Sequence, residues 1–193
     1  MLVKSNEMGV IVKAEEFARL FHVNHKRKYT NEPYVNHLLE VANIVCTVEH
    51  TSEMIAASLL HDVVEDTSAE IKEIFNEFGS VIGRYVESLT EITSLQDGNR
   101  KTRKRIERER LASSCKEVQT IKTADLMSNC IPIVHNDPNF GKVFIQEMSL
   151  LLRDMKLADS KLRDNAWRLA SACMMHLEFP EFDGYEIKLQ DYL

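Results

Sequence analysis

Glycine, proline and cysteine are all scarce in this chain. Six glycines and four prolines in 193 residues are too few for a sandwich or barrel, whose short strands each need a tight turn. They also argue against disordered tracts. The four cysteines, Cys46, Cys115, Cys130 and Cys173, are far apart and form no CxxC pair. That excludes a zinc knuckle or a disulfide scaffold and leaves reduced core thiols as the expectation. No apolar run approaches the roughly 18 residues of a membrane span. The opening MLVKSNEMGVIVKAEE has no long apolar core of the signal-peptide kind. The cytoplasm is therefore the expected compartment, with no membrane partner.

Positive charge is lacking overall as well. The net charge is −6, which argues against DNA or RNA as a partner. The distribution is uneven, however. RKTRKRIERER, residues 100–110, carries seven basic and two acidic side chains. This local excess of five positive charges leaves −11 on the rest of the chain.

What is abundant is helical periodicity. Val10, Ala14, Phe17, Ala18 and Phe21 form an apolar stripe for a first helix over roughly residues 9–28. Pro33 can open a second, carrying Leu38, Val41, Ala42 and Val45. SEMIAASLLHDVVED reads as a third, mostly apolar and so central. Thr67-Ser68-Ala69-Glu70 has the form of a capping box for a fourth helix ending near Phe78-Gly79. A fifth is expected from about Val81 to Ser94, and LQDGN then breaks the chain before the basic segment leads into another helix. EVQTIKTADLMSNC continues helical to Pro132, HNDPN turns, and helices follow over roughly 139–157 and 160–178. The tail can fold back on the core. With no internal repeat or linker, one all-α domain is expected.

LLHDVVEDTS, residues 59–68, places His61, Asp62, Glu65 and Asp66 beside Leu59, Leu60, Val63 and Val64. Burying an unpaired charge there is costly. Adjacent helical residues project about 100° apart, so His61 and Asp62 grip one ion only from a helix edge. Further ligands must come from elsewhere. His37 in PYVNHLLEVA and Asp125 in IKTADLMSN are lone polar groups on apolar helix segments. Two imidazoles and two carboxylates neutralise a divalent ion and suit Mn, Fe or similar metals, with acidified water in the open positions. The plainer alternative is that a lone histidine is a satisfied core residue. His22, His25, His50, His135 and His176 are left in that class or on the surface. Asp66 can equally cap the next helix.

HDVVEDT resembles the signature of HD-domain phosphohydrolases, and more narrowly the hydrolase domain of RelA/SpoT-homologue proteins. His22, Arg27-Lys28, EPYVNH at 32–37, AASLLHDVVEDT, Phe78-Gly79 and IKTADLMSN occur in that family's order and approximate spacing. The resemblance covers about residues 14–130. It implies a single HD domain over 1–193, a bundle of about eight to ten helices that residues 139–193 complete. It further implies a stand-alone small alarmone hydrolase. The family's metal ligands fall on His37, His61, Asp62 and Asp125, and its water-activating acidic pair on Glu65 and Asp66. Its substrate contacts fall on Arg27, Lys28 and Asn129, and a basic segment before the last ligand offers Arg100, Lys101 and Lys104 to phosphate. Leu38 departs from the proline usual after the histidine.

The activity implied is manganese-dependent removal of the 3′-pyrophosphate from guanosine tetra- or pentaphosphate. The alternatives are another nucleotide, NADPH or a nucleoside triphosphate, and a non-catalytic nucleotide sensor. A homo-oligomer is compatible with all three. For the basic segment, the alternative is a solvated face with Arg103–Glu107 and Arg105–Glu109 pairs; its first half has no acidic partner in sequence.

Overall fold

The computed structural model describes residues 2–179 and 187–193, with side chains from residue 8 onward. It is all-α: among the described residues the sole β contact is an isolated bridge between Lys26 and Pro33. The chain divides into two compact units, Met1–Ile92 and Thr93–Leu193.

The first unit holds α1 (Leu2–Phe21), α2 (Val35–Val45), α3 (Ser52–Leu60), α4 (Val63–Asp66) and α5 (Ile71–Leu89). Helix α3 packs against α1, α2 and α5, and every residue from Met54 to Leu60 is buried, so the apolar third helix is central to this unit. Thr51 starts it by accepting a hydrogen bond from Met54 N–H at 3.3 Å. The single expected helix over 52–66 is in fact two, separated by a turn at His61 and Asp62.

Other boundaries also differ from the sequence reading. Helix α1 stops at Phe21, not near 28, because residues 25–34 form a loop in which Arg27 N–H bonds Glu32 O and Tyr34 N–H bonds His25 O. Asn31 turns that loop with a φ of 58°, a conformation asparagine tolerates. Pro33 lies in the bridge and α2 begins at Val35. The Thr67 hydroxyl closes a short turn to Ala69 N–H. The capping box of α5 is formed by Glu70 and Glu73. The expected break at Gly79 is present: its φ of 82° and ψ of 176° interrupt α5, a conformation that costs glycine little.

The second unit contains α6 (Arg100–Ala112), α7 (Lys116–Asn136), α8 (Pro138–Asp154), α9 (Ser160–Glu178) and a 3-10 turn at Leu189–Tyr192. Helix α7 packs on α8 and α9 and runs past Pro132, where it was expected to end. Proline removes one i→i−4 bond, but the buried Cys130, Ile133 and Val134 flanking it keep the helix against its neighbours. Asp137 then caps α8 through Phe140 N–H, with Pro138 in its first turn.

Gln119 is wholly buried and ties two connections together. Its Nε2 donates to Ala112 O and Ser114 O, each at 3.0 Å. Its Oε1 accepts from Leu157 N–H at 2.8 Å and Ala158 N–H at 3.2 Å. Thr120 Oγ1 donates to Lys116 O and accepts from Asp159 N–H. The tail does fold back where it is described, burying Ile187 and Tyr192; residues 180–186 lie outside the described set. No cysteine is in a disulfide. Cys130 and Cys173 are core thiols as expected, whereas Cys46 and Cys115 are exposed. No described helix is long and apolar enough to cross a membrane.

Candidate metal centre

The turn between α3 and α4 is what makes His61 and Asp62 a pair. Asp62 sits at φ −99° and ψ −5°, in the sparsely populated bridge region where functional residues are often found. The helix resumes when Asp66 N–H bonds Asp62 O at 2.9 Å. Two adjacent side chains that a continuous helix would splay apart instead converge. Asp62 Oδ2 lies 3.1 Å from His61 Nε2 and 3.5 Å from His37 Nε2. The His37 and His61 rings are 5.3 Å apart. Ligand atoms of His37, His61 and Asp62 all lie within 4.8 Å of one another.

Burial and tautomer suit this set to a cation. His37 and His61 are 1% and 2% exposed. His61 Nδ1 is 2.7 Å from Ser58 O, and a carbonyl only accepts. Nδ1 therefore carries the proton, and the Nε2 lone pair faces the carboxylate. A backbone carbonyl that fixes the tautomer is the usual support behind a metal-binding histidine. One oxygen and two imidazole nitrogens at one point fit a divalent transition ion.

Beside the triad stand side chains to which the sequence reading gave no role at the metal. The Tyr34 hydroxyl donates to Asp62 Oδ2 at 2.6 Å, and its ring stacks on His22 with centroids 4.8 Å apart. His22 Nδ1 is 3.1 Å from His25 Nδ1. Burial lowers the His22 pKa to about 4, against a smaller upward pull from Asp62, so His22 is neutral at pH 7. The spacing was a usable signal for Tyr34. It lies three residues before His37, so both project from one face at the start of α2.

Glu65 and Asp66 are both exposed at the end of α4. Glu65 Oε2 accepts from Glu91 N–H at 3.0 Å. The Asp66 carboxyl is raised above its ordinary pKa, first by desolvation and then by the Asp62 charge, while a hydrogen bond with Tyr34 opposes the shift. Arg27 has a largely covered side chain 3.4 Å from Glu40 Oε2. Lys28 is exposed and lies over the Tyr29 ring, 4.8 Å from its centroid.

The remaining candidates belong to the second unit. Asp125 is 6% exposed. Its Oδ2 accepts from Lys122 Nζ and its Oδ1 from Asn129 Nδ2, each at 2.7 Å. Asn129 is thus bonded to the acidic residue one turn before it. The first half of the basic segment does have an acidic partner, contrary to expectation. Arg100 makes a two-point bond to Glu147, with distances of 2.9 and 2.7 Å, and lies over the Phe140 ring. Glu147 is 47 residues away in sequence, beyond the reach of a local pairing rule. The expected Arg105–Glu109 pair is present at 3.1 Å. Glu107, expected to meet Arg103, is held by Arg110 at 2.7 Å and by Thr93 N–H. Lys101 is exposed and Lys104 half-buried.

Comparison with known proteins agrees with this geometry. The family described as "HD domain" matches residues 14–125. A guanosine-3′,5′-bis(diphosphate) 3′-pyrophosphohydrolase, MESH1 of Drosophila melanogaster, is 33% identical over 126 residues, which are 64% of this chain and 69% of the relative. The GTP pyrophosphokinase rsh of Brucella ovis is 31% identical over 179 residues, 83% of this chain but 24% of that much longer relative. A solved structure, described as a metazoan ortholog of SpoT that hydrolyzes ppGpp, superposes with a TM-score of 0.75 at 23% identity. It covers 84% of this chain and 94% of its own, and it establishes a shared fold.

Proposed function

This chain belongs to the HD-domain family, and from that membership we propose that it hydrolyses guanosine 3′,5′-bis(diphosphate) and the corresponding pentaphosphate. Water attacks the phosphorus attached to the ribose 3′ oxygen, releasing pyrophosphate and returning GDP or GTP. The observation that carries the reading is the convergence of His37 Nε2 and His61 Nε2 on Asp62 Oδ2. The name of the Drosophila relative supplies the substrate.

The three converging side chains would hold a divalent ion, with manganese as the proposed metal, and family resemblance assigns Asp125 as the fourth ligand. Bound there, such an ion polarises a phosphoryl oxygen and acidifies water. Glu65 and Asp66 orient the attacking water and take its proton. Arg27, Lys28, Lys101, Lys104 and Asn129 bind the phosphates and ribose. Arg100 joins them only by leaving Glu147. The proposal treats 1–193 as one HD domain, because the family match runs through both units, and it places the enzyme in the cytoplasm with a small nucleotide as its partner.

The test is a metal-stripped preparation reloaded with single divalent ions and offered ppGpp, pppGpp, NADPH and GTP. Manganese-dependent release of pyrophosphate from the first two is expected. Preference for NADPH or GTP would transfer the same chemistry to another nucleotide. Tight binding without turnover under every ion would make the protein a sensor.

A further inference from the structure

The side chain best placed to act on the metal centre without belonging to it is Tyr34. Its hydroxyl is 2.6 Å from Asp62 Oδ2, the carboxylate oxygen that both histidine Nε2 atoms face. That oxygen has two lone-pair directions. Two imidazole nitrogens and the phenol thus meet at one carboxylate oxygen, and the phenol donates a hydrogen to it.

The phenol is itself rigidly mounted. Its ring stacks on the buried His22 at 4.8 Å with planes 14° apart, and meets the His37 ring edge-on at 5.5 Å. The backbone is tied at both sides, with Tyr34 N–H bonded to His25 O and Tyr34 O accepting from His37 N–H, each at 2.9 Å. One residue thus contacts His37 through its ring and backbone and Asp62 through its hydroxyl.

We propose that Tyr34 is a positioning residue whose hydroxyl orients Asp62 for metal binding. The role rests on the metal reading above. Groups that hydrogen-bond metal ligands commonly contribute 10- to 100-fold to metal affinity. Tyr34→Phe deletes the hydroxyl and keeps the ring on His22 and His37, so the helical structure of the variant, followed by circular dichroism, should match wild type.

The decisive measurement is equilibrium dialysis with manganese alone, comparing wild type, Tyr34→Phe and Asp62→Ala. Tyr34→Phe should bind at least about tenfold more weakly than wild type, and Asp62→Ala should not bind. At saturating manganese, Tyr34→Phe should show a reduced kcat on ppGpp with KM within about twofold, because Asp62 is held less well while the phosphate contacts are intact. Unchanged manganese affinity in Tyr34→Phe, with or without a lower melting temperature, overturns the positioning role alone. A wild-type protein that binds no manganese overturns the metal reading and this role together.

Discussion

Each unit of the protein buries a cluster of polar side chains, and the two clusters are built on opposite plans. In the second unit, Gln119 directs both amide hydrogens to backbone carbonyls and receives two backbone N–H groups on its oxygen. Thr120 and Thr123 likewise bond the backbone. In the first unit, His61 uses one nitrogen on a backbone carbonyl and turns the other, like His37, toward a carboxylate oxygen. Buried polar groups must find partners. A cluster satisfied by main chain holds connections together, whereas one whose lone pairs converge on a point is shaped for a cation. Burial alone does not separate the two, since Gln119 and His37 are equally inaccessible.

The sharpest way to break this contrast is to remove Asp62. Asp62→Ala should take metal content to background and abolish turnover while the protein stays folded, as read by elemental analysis and circular dichroism. Wild-type metal content in that variant would return the triad to the structural class.

Glu65 lies outside the triad and is exposed, with one oxygen on Glu91 N–H. Glu65→Ala should keep its metal and lose roughly 10²- to 10⁴-fold in kcat, the usual range for general-base help. A metal-free variant would show that Glu65 supports the ion instead.

Gln119→Leu tests the other cluster. It keeps the bulk and leaves four backbone groups, on residues 112, 114, 157 and 158, without their partner. At about 1–3 kcal/mol for each unsatisfied buried group, and with some relaxation toward water, a loss of about 2–4 kcal/mol is expected. Urea denaturation measures it, and manganese affinity should be unchanged. A stable variant, or one that loses metal, would erase the distinction between the clusters.

The smallest effect is expected on the surface of α6. Lys101→Ala with Lys104→Ala should lower kcat/KM about tenfold, since ~1.4 kcal/mol of phosphate contact is a factor of ten. The melting temperature should barely move, and salt should inhibit the variant less steeply than wild type. Arg100 is left intact because removing it would also strand Glu147. Equal rates and equal salt sensitivity would make the segment a solvated face.

The helical class, the central α3, the break at Gly79 and the ligand candidates His37, His61 and Asp62 are legible in the sequence. Each is written in local pattern: apolar spacing, a glycine where the helix must turn, and charge set against hydrocarbon. Contacts between distant positions were not. Arg100 and Glu147 are far apart in sequence and gave no sign of each other, and Tyr34 was read only as part of a motif. Thr67 to Glu70 offered a plausible capping box, but Glu70 with Glu73 satisfied the same helix end one turn later. Local rules name the residues able to cap and leave the choice to packing.

The sequence by itself determined that this chain is helical and that His37, His61 and Asp62 stand among apolar neighbours, because periodicity and charge are properties of neighbours along the chain; that Glu65 and Asp66 of the same run are exposed came from the fold. Only the tertiary structure decided that the helix breaks at His61 and Asp62, that His37 meets them, and that Tyr34 stands behind them. Those outcomes depend on where α2 and α3 cross and on which hydrogen bonds the buried backbone must complete, and both are settled by the packing of segments that sequence keeps apart.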